Sequence, residues 1–429
     1  MTTNIRALVP LLLAAALLLG GNGLQGTLVA LRAGEEGFST LAVGLIGAAY
    51  FAGFLGACFA VPPLIRAVGH VRVFAALASV AGVGTLLLVL AVDPWVWAAV
   101  RAVMGFCFSG LFVVVESWLN GAAGRGERGR VLSIYRIVDL SAVTGGQFLL
   151  PVFGVAGFEI FAVTAILFAL SLLPVALTNA SRPVPPERFR FEPMLLWRLS
   201  PVAALGALSI GLTTSAFRLI GPLYGVELGF DTAQVALFMN AGIVGGAVLQ
   251  LPLGTLSDRV DRRWALLIAT SGAVLAGLWL NAAHAPAAVY GGAFAFGAFA
   301  LPLYSLAAAQ ANDRAGADAD FVGISTGLIF VYSVGAIFGP LGAAALVEAF
   351  GPQALFGYTS AVHGAMAVLT VAQMIARAPV PREGRGRVVG LLRTSTGIFS
   401  LAQRRRMGGG PEKNGRTEGP AESNREVRS

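Results

Sequence analysis

Four ionisable residues interrupt apolar segments in the first half of the chain. Arg101 and Glu116 share one segment, and Arg136 and Asp139 share the next. Ionisable side chains are costly inside a bilayer, where they usually have a function. A carboxylate that is partly removed from water can exchange protons near neutral pH, and an arginine can bind an anionic group. These residues are therefore candidates for proton coupling and for substrate binding.

The spacing in the first of these segments favours a helix that lines a water-filled cavity. In an α-helix, Arg101 and Glu116 are about 60° apart around the axis and ~22 Å apart along it. Gly105, Ser109 and Phe112 fall on the same stripe. One face of the predicted helix thus carries a cation toward one end and an acid toward the other.

The next segment places Tyr135, Asp139 and Gln147 on one face, with Arg136 at its edge. Arg136 and Asp139 are three residues apart, and two interpretations remain open. They form an ion pair within one helix near the membrane boundary, or Asp139 exchanges a proton as the cavity changes sides. Glu116 is the second candidate for such an exchange.

Other polar residues in apolar segments also have two interpretations each. Asn22 and Gln25 suit a polar substrate, but they suit hydrogen bonds between helices equally well. Arg218 either contributes to the substrate site or extends to the headgroups on the outer side. Tyr304 is a candidate cavity residue, because its segment corresponds to that of Glu116 in the other half of the chain.

The composition is that of an integral membrane protein. Hydrophobic residues make up 56% of the 429 residues, charged residues make up 12%, and the mean hydropathy is +0.76. Soluble domains carry about twice this charged fraction. The two cysteines and three histidines are scattered, so we expect neither a disulfide framework nor a metal site. No nucleophile–base pair or ATP-binding loop is evident in the sequence, so we do not expect an enzyme.

Twelve segments reach the roughly 20 apolar residues that a membrane-spanning helix needs. We therefore predict an all-α membrane protein with twelve transmembrane helices. The predicted spans are 7–30, 40–62, 72–92, 95–119, 132–153, 158–178, 199–221, 232–253, 264–283, 286–310, 322–346 and 353–376.

The distribution of arginine predicts the orientation, because arginine tends to stay on the cytoplasmic side. With the N terminus inside, thirteen arginines fall in cytoplasmic loops, whereas one, Arg32, falls in an outer loop. We therefore expect both termini in the cytoplasm and the protein in the bacterial inner membrane.

The predicted spans divide into two sets of six. A connection rich in proline and arginine, 179–198, separates the bundles 1–178 and 199–376, and its composition predicts a flexible linker. The glycine-rich second span matches the eighth, and Gly146 in the fifth span matches Gly339 in the eleventh. A duplicated six-helix unit with a site at the repeat interface is the usual build of a transporter.

A thirteen-residue loop between the eighth and ninth spans, GTLSDRVDRRWAL, resembles the signature loop of the major facilitator superfamily. Gly254, Asp258, Arg259, Arg262 and Arg263 stand at the spacing of that loop. The resemblance implies twelve helices in two pseudo-symmetric six-helix bundles that work by alternating access. It also implies that Asp258 and the arginines stabilise the outward-open state by pairing across the inner surface and with a neighbouring helix end.

The first-half copy of this loop, PPLIRAVGHVRVF (62–74), departs from the family pattern. It retains Gly69 but has Pro62 in place of the glycine and Arg66 in place of the acid. The family's loop normally carries that acid, so the second-half loop is expected to take the gating role alone.

Other motifs support the same resemblance. Arg101-x-x-x-Gly105 fits the arginine motif of the family's fourth helix. Gly335, Gly339 and Pro340 resemble the family's glycine-proline motif, which gives close packing and a bend. The stretches GNGLQGTL (21–28), FVVVESWLN (112–120) and RGRVLSIYR (128–136) resemble the YcaD-type subgroup of bacterial inner-membrane transporters. The substrates of that subgroup are not defined, so the resemblance implies no ligand.

The C-terminal residues 377–429 differ from the rest of the chain. They are polar and basic, so we expect a disordered cytoplasmic tail. Within the tail, 388–406 mixes apolar residues with arginine and is a candidate for binding anionic lipid.

Together these features predict a secondary active transporter for a small solute. The predicted driving force is an ion gradient, with protons as the first choice, and no cofactor is expected. We expect a monomer in the lipid bilayer that does not bind nucleic acid. A multidrug/proton exporter and a non-transporting receptor or scaffold that signals through its tail remain open alternatives. The solute, the direction of transport and the coupling ion do not follow from the sequence.

Overall fold

The computed structural model describes residues 5–122, 128–177, 193–315 and 321–378. Within these ranges the chain forms α-helices and no strand. The helices are α1 (Ile5–Glu35), α2 (Thr40–Val68), α3 (His70–Leu90), α4 (Pro94–Ala122), α5 (Arg128–Gln147), α6 (Leu149–Phe153), α7 (Glu159–Leu170), α8 (Leu172–Ala176), α9 (Pro193–Leu199), α10 (Pro201–Glu227), α11 (Thr232–Arg259), α12 (Arg262–Ala282), α13 (Pro286–Ala300), α14 (Leu303–Arg314), α15 (Phe321–Phe350) and α16 (Ala354–Ala376).

Eleven stretches of the described chain are long and apolar enough to cross a bilayer. Two of them join consecutive helices, α7 with α8 and α13 with α14. The remaining predicted span, 132–153, corresponds to α5 and α6. Arg136, Asp139 and other polar residues make α5 much less apolar, but it packs along α1 inside the bundle. The prediction of an all-α membrane protein is therefore confirmed, and a helix satisfies every backbone group that lipid cannot.

Proline divides three spans that we predicted as continuous. α5 ends at Gln147 and α7 ends at Leu170, each four residues before a proline, Pro151 or Pro174. A proline ring clashes with the carbonyl four residues earlier and has no N–H to donate to it. α13 ends two residues before Pro302, which has no N–H to continue the hydrogen-bond pattern of the helix.

The first and second sets of helices pack in the same order. α1 packs on α5, α2 on α4, and α3 on α7, whereas in the second set α10 packs on α15, α11 on α13, and α12 on α16. The predicted duplication of a six-helix unit is therefore present in the structure. Most of the predicted linker, 179–192, lies outside the described residues, and α9 covers its last residues. The tail beyond residue 378, with its candidate lipid-binding stretch, also lies outside the described residues.

Glycines at equivalent positions allow the backbones of paired helices to touch. Gly105 and Gly297 are 192 residues apart. A Cβ on Gly105 would lie 1.8 Å from the carbonyl oxygen of Tyr50, and one on Gly297 would lie 1.8 Å from that of Gly242. Such small residues are what membrane helices use to approach closely. The repeated glycines therefore reflect a repeated contact between backbones.

The glycines of α15 make a comparable contact. A Cβ on Gly335 would lie 2.4 Å from the carbonyl oxygen of Leu208, and one on Gly339 would lie 2.2 Å from that of Leu212. Both partners are on α10. Pro340 faces the other side, where its carbonyl oxygen would lie 2.9 Å from a Cβ on Gly44 of α2.

The two sets meet at one end of the bundle through specific contacts. We call the end that carries the signature loop (254–266) the loop end, and the opposite end the far end. Near the far end, α2 packs on α15, and both α1 and α2 pack on α10. A carboxylate oxygen of Glu348 on α15 accepts a hydrogen bond of 3.1 Å from the N–H of Leu41. Because that N–H is in the first turn of α2, it would otherwise lack a partner within its helix.

The contact at Gly105 predicts a specific cost of adding one methyl group. We expect Gly105→Ala to lower the free energy of unfolding by about 1–3 kcal/mol, because the new Cβ must push α2 and α4 apart. Gly56→Ala on α2 is the matched control, since a Cβ there meets nothing within 4 Å. Thermal unfolding in detergent measures both variants. Equal melting temperatures for Gly105→Ala and Gly56→Ala would contradict the close approach.

Candidate functional site

A cavity of about 110 Å³ lies between the two sets of helices. It is lined from the first set by α1 and α5, and from the second set by α10, α11, α13 and the break after α13. Asp139 and Arg218 line it from opposite sets. Most of the remaining wall is apolar or glycine, with Phe217, Met239 and Phe296 as its largest side chains. The cavity thus combines a mostly apolar wall with one acid and one arginine.

Arg218 presents its side chain to this cavity. It lies nine residues before the end of α10 at Glu227, which places it about 14 Å from the far end of that helix. It is exposed, although both of its neighbours in sequence are buried. Among the described residues, its side chain makes no ion pair or hydrogen bond. Of the two predicted roles of Arg218, the structure therefore favours the cavity over the outer headgroups.

Asp139 faces the cavity from α5 and is buried. Gln147, two turns further along α5, also lines the cavity, and its amide nitrogen donates a hydrogen bond of 2.8 Å to the carbonyl oxygen of Gly23. Tyr135, one turn before Asp139, is buried as well, whereas Arg136 is only partly buried. Of the polar face predicted for this helix, Asp139 and Gln147 thus line the cavity.

Arg101 lies in a polar network within the first set of helices. Its Nη1 donates a hydrogen bond of 3.1 Å to Gln25, and its guanidinium carbon lies 4.3 Å from the ring centroid of Tyr50. Gln25 donates in turn to the hydroxyl of Thr85 at 2.8 Å, and the Tyr50 hydroxyl donates to Asn22 at 3.3 Å. These contacts offset part of the cost of burying the charge. Arg101 is 4% exposed and is not one of the residues that line the cavity.

Glu116 and Tyr304 approach each other from opposite sets, nearer the loop end. Glu116 is buried on α4, and Tyr304 on α14 lies within electrostatic range of it and of Cys58. The rings of Tyr304 and Tyr332 are 5.7 Å apart in an edge-to-face arrangement. Neither Glu116 nor Tyr304 lines the cavity described above. The two candidate coupling acids, Asp139 and Glu116, therefore lie in different environments.

The signature loop is organised by one buried arginine, Arg262, which is 2% exposed. Its Nε donates to a carboxylate oxygen of Asp313, at the loop end of α14. Its Nη1 lies 3.2 Å from a carboxylate oxygen of Asp258 and 3.1 Å from the hydroxyl of Ser257. Gly254 is buried, whereas Arg259 is exposed. Arg262 therefore holds the ends of α11, α12 and α14 together.

The next arginine, Arg263, joins the end of a fourth helix to this cluster. Its guanidinium lies 2.6 Å from a carboxylate oxygen of Asp261. It also donates to the carbonyl oxygens of Gln373 and Arg377, at 3.1 and 2.7 Å. Both carbonyls lie at the end of α16: that of Gln373 also accepts from the N–H of Arg377, and that of Arg377 is just beyond the last helical residue. The contacts that the structure shows for Arg262 and Arg263 thus join neighbouring helix ends of the same set.

The first set has a neutral contact at the corresponding position. α2 and α3 are joined by Gly69, whose φ of +88° is in the region that favours glycine. His70, which is 192 residues before Arg262, lies 2.9 Å from the hydroxyl of Ser117 on α4 through its Nε2. A histidine–serine hydrogen bond therefore occupies the place of the arginine–aspartate ion pair, and the two loop-end contacts differ in charge.

Several residues of these sites were missed by the analysis of the sequence. Asp313 lies three residues after the predicted tenth span, at the loop end of α14, and its acidic side chain there was the available signal. Tyr50 lies in the glycine-rich second span, where an isolated aromatic hydroxyl was the available signal. Glu348 and Thr85 had no distinguishing signal, because each acts on a residue that is distant in sequence.

The fold and the central site define the class of protein. Two repeated six-helix units with a cavity at their interface are the architecture of secondary transporters. The chain belongs to the Major Facilitator Superfamily, because a sequence profile of that family matches residues 11–331 and 203–402. The resemblance inferred from the signature loop is thereby confirmed.

Individual relatives and structures agree with this assignment. The chain is 27% identical over 360 residues to an uncharacterized MFS-type transporter, YcaD, of Escherichia coli, covering 83% of this chain and 93% of the relative. It is 27% identical over 341 residues to an uncharacterized MFS-type transporter of Yersinia pestis, and the match covers 77% of this chain and 86% of the relative. Among solved structures, it resembles the nucleoside transporter NupG with a TM-score of 0.72 at 10% identity, covering 85% and 98%. It also resembles an inward-facing bacterial homologue of the lysosomal transporter Spinster with a TM-score of 0.65 at 14% identity, covering 94% and 97%.

The buried ion pair predicts a large difference between two arginines of the signature loop. We expect Arg262→Ala to lower the free energy of unfolding by about 3–5 kcal/mol, because it leaves Asp313 buried without its cation. Arg259→Ala should change that energy by less than about 0.5 kcal/mol, since Arg259 is exposed. Thermal unfolding of the purified variants measures both effects. Similar destabilisation by the two substitutions would contradict the central role of Arg262.

Proposed function

We propose that this protein is a secondary active transporter that moves a small solute across the bacterial plasma membrane by alternating access. The observation that carries the proposal is the cavity between the two six-helix sets, which receives a charged side chain from each set. A relative movement of the two sets would open this cavity to one side of the membrane and then to the other. The side of the membrane that has access to the cavity would then change, while the packing within each bundle would stay the same.

The contacts at the far end suggest how one state is held. The distribution of arginine assigns the loop end to the cytoplasm and the far end to the outside. The bond between Glu348 and the first turn of α2, together with the close packing at Gly44, would keep the cavity closed to the outside. In this proposal the transition to the outward-open state breaks that bond.

We assign coupling to a proton gradient, with Asp139 and Glu116 as the two candidate carriers. Asp139 is supported by its place in the cavity wall, where solute and proton would meet. Glu116 is supported by its burial opposite Tyr304 of the other set, because movement of the sets would change its surroundings. Either carboxylate would change its proton affinity with its exposure to water.

The far-end contact generates a prediction about conformational populations. We expect Glu348→Ala to increase the outward-open population by up to about fivefold, because a carboxylate at an exposed helix N-terminus is worth about 0.3–1 kcal/mol. The measurement is the labelling rate of a cysteine at Ile243, a cavity residue, by an impermeant thiol reagent from outside. Cys58 and Cys107 are replaced by alanine. Glu227→Ala, also an exposed acid near the far end, is the control, and equal labelling in the two variants would refute the assigned role.

The coupling assignment predicts the loss of proton movement in a neutral variant. Proteoliposomes that contain a pH-sensitive dye are exposed to a library of metabolites and drug-like cations. A solute that drives proton flux in the wild type should do so at least tenfold more slowly in Asp139→Asn or Glu116→Gln, because the amide cannot carry the proton. Glu227→Gln should behave as the wild type. If both neutral variants retain normal flux, the proton assignment is wrong, and a protein that moves no solute at all would instead fit the receptor alternative.

A further inference from the structure

We propose that the carried solute is a small organic anion, a carboxylate on a compact apolar body, and that Arg218 binds its charged group. This inference rests on the proposed transport function and specifies its substrate class. Arg218 lines the cavity, is exposed within it, and makes no ion pair or hydrogen bond through its side chain among the described residues. A cation in the interior of a membrane protein is costly unless an anion or water compensates its charge. An anionic solute supplies that compensation.

The second arginine near the cavity is not available for this role. Arg101 is engaged by Gln25 and by the ring of Tyr50, and it lies outside the cavity wall. It is close enough to Arg218 for the two positive charges to repel each other. This repulsion adds to the positive potential around Arg218 without offering a second contact, so binding of an anion at Arg218 relieves it.

The geometry of the guanidinium group favours a carboxylate. Its planar fork of N–H donors matches the two oxygens of a carboxylate, and both hydrogen bonds are assisted by charge. The Thr27 and Gln147 side chains also line the cavity. They can orient the polar end of the solute, but only Arg218 neutralises it.

The rest of the wall restricts the body of the solute. Phe217, Met239, Phe296 and Leu301 present apolar surface to the cavity, and burial of apolar groups against such surface stabilises binding. The cavity volume of about 110 Å³ is of the same order as the roughly 150 Å³ of an apolar cavity that binds one benzene molecule. A single aromatic ring or a short branched alkyl chain is therefore the largest body that we expect without widening of the site.

Asp139 couples this anion to a proton. Its carboxylate shares the cavity with the proposed carboxylate of the solute, and two negative charges in one small site repel each other. A proton on Asp139 removes the repulsion, so proton and anion each favour binding of the other. The other charged residues on α5 and on the helices packed against it are Arg128, Arg130 and Arg136 on α5, Arg101 and Glu116 on α4, Arg6, Arg32 and Glu35 on α1, and Asp258 and Arg259 on α11. Arg218 on α10 lines the same cavity as Asp139.

The test uses the full chain, purified in detergent, and two sets of matched probes. Benzoate, benzamide and benzylamine share one ring, and isovalerate and isovaleramide share one branched chain, so charge is the main variable. Dissociation constants come from the dose dependence of thermal unfolding.

We expect each carboxylate to bind at least tenfold more tightly than its amide. Arg218→Gln should remove this preference, and Arg218→Lys should weaken it. Arg72→Gln, which removes an exposed arginine on α3, should leave it unchanged.

The same measurement at pH 5.5 and pH 8 tests the coupling. We expect the wild type to bind benzoate more tightly at pH 5.5 than at pH 8, because the proton and the anion favour each other's binding. Asp139→Asn should bind it with the tighter constant at both values. Proper folding of every variant is checked by its melting temperature without ligand.

Several results would overturn the anion proposal. These are equal binding of carboxylates and amides, preferred binding of benzylamine, full retention of benzoate affinity in Arg218→Gln, and no binding of either carboxylate. The proteoliposome assay separates this failure from failure of the transport proposal. If neutral or cationic solutes drive proton flux, the protein is a transporter and only its substrate class has been misassigned.

Discussion

A charge inside a membrane protein must be paired, hydrogen-bonded or hydrated, and three arginines of the bundle show different solutions to this constraint. Arg262 is buried against Asp313 and thereby joins three helix ends. Arg101 is buried against Gln25 and the face of Tyr50, within one set of helices. Arg218 instead faces the cavity between the sets. The first two arginines make contacts within a bundle, and in our proposal the third binds the solute.

Duplication supplies the frame for these charges, and divergence between the copies makes them unequal. Equivalent glycines bring α2 onto α4 and α11 onto α13 with the same close approach. At the loop end, however, His70 and Ser117 form a neutral contact where the second set has Arg262 and its two acids. The electrostatic part of the loop-end contacts described here is therefore concentrated in one six-helix unit.

The cavity brings these two features together. Glycines in its wall allow the surrounding helices to pack closely, so that the cavity at the interface of the two sets is small. A wall that is mostly apolar strengthens any electrostatic interaction inside it, because little water is present to screen charge. One arginine and one acid can therefore dominate recognition in a site of this size. The two relatives compared above, from Escherichia coli and Yersinia pestis, are uncharacterized transporters, so our proposal for the solute rests on the chemistry of the site.

The sequence by itself determined the helical membrane fold, the duplication and the family. Hydropathy, glycine spacing and the signature loop are properties of short stretches, and lipid leaves the backbone few alternatives to a helix. It did not determine which arginine faces the cavity, because Arg101 and Arg218 each stand in an apolar segment. Only the tertiary structure separates them, because the partners Tyr50, Asp313 and Glu348 are set by helix packing between distant segments. Local patterns specify each helix and its polar face, but the neighbour that faces it depends on how all the helices assemble.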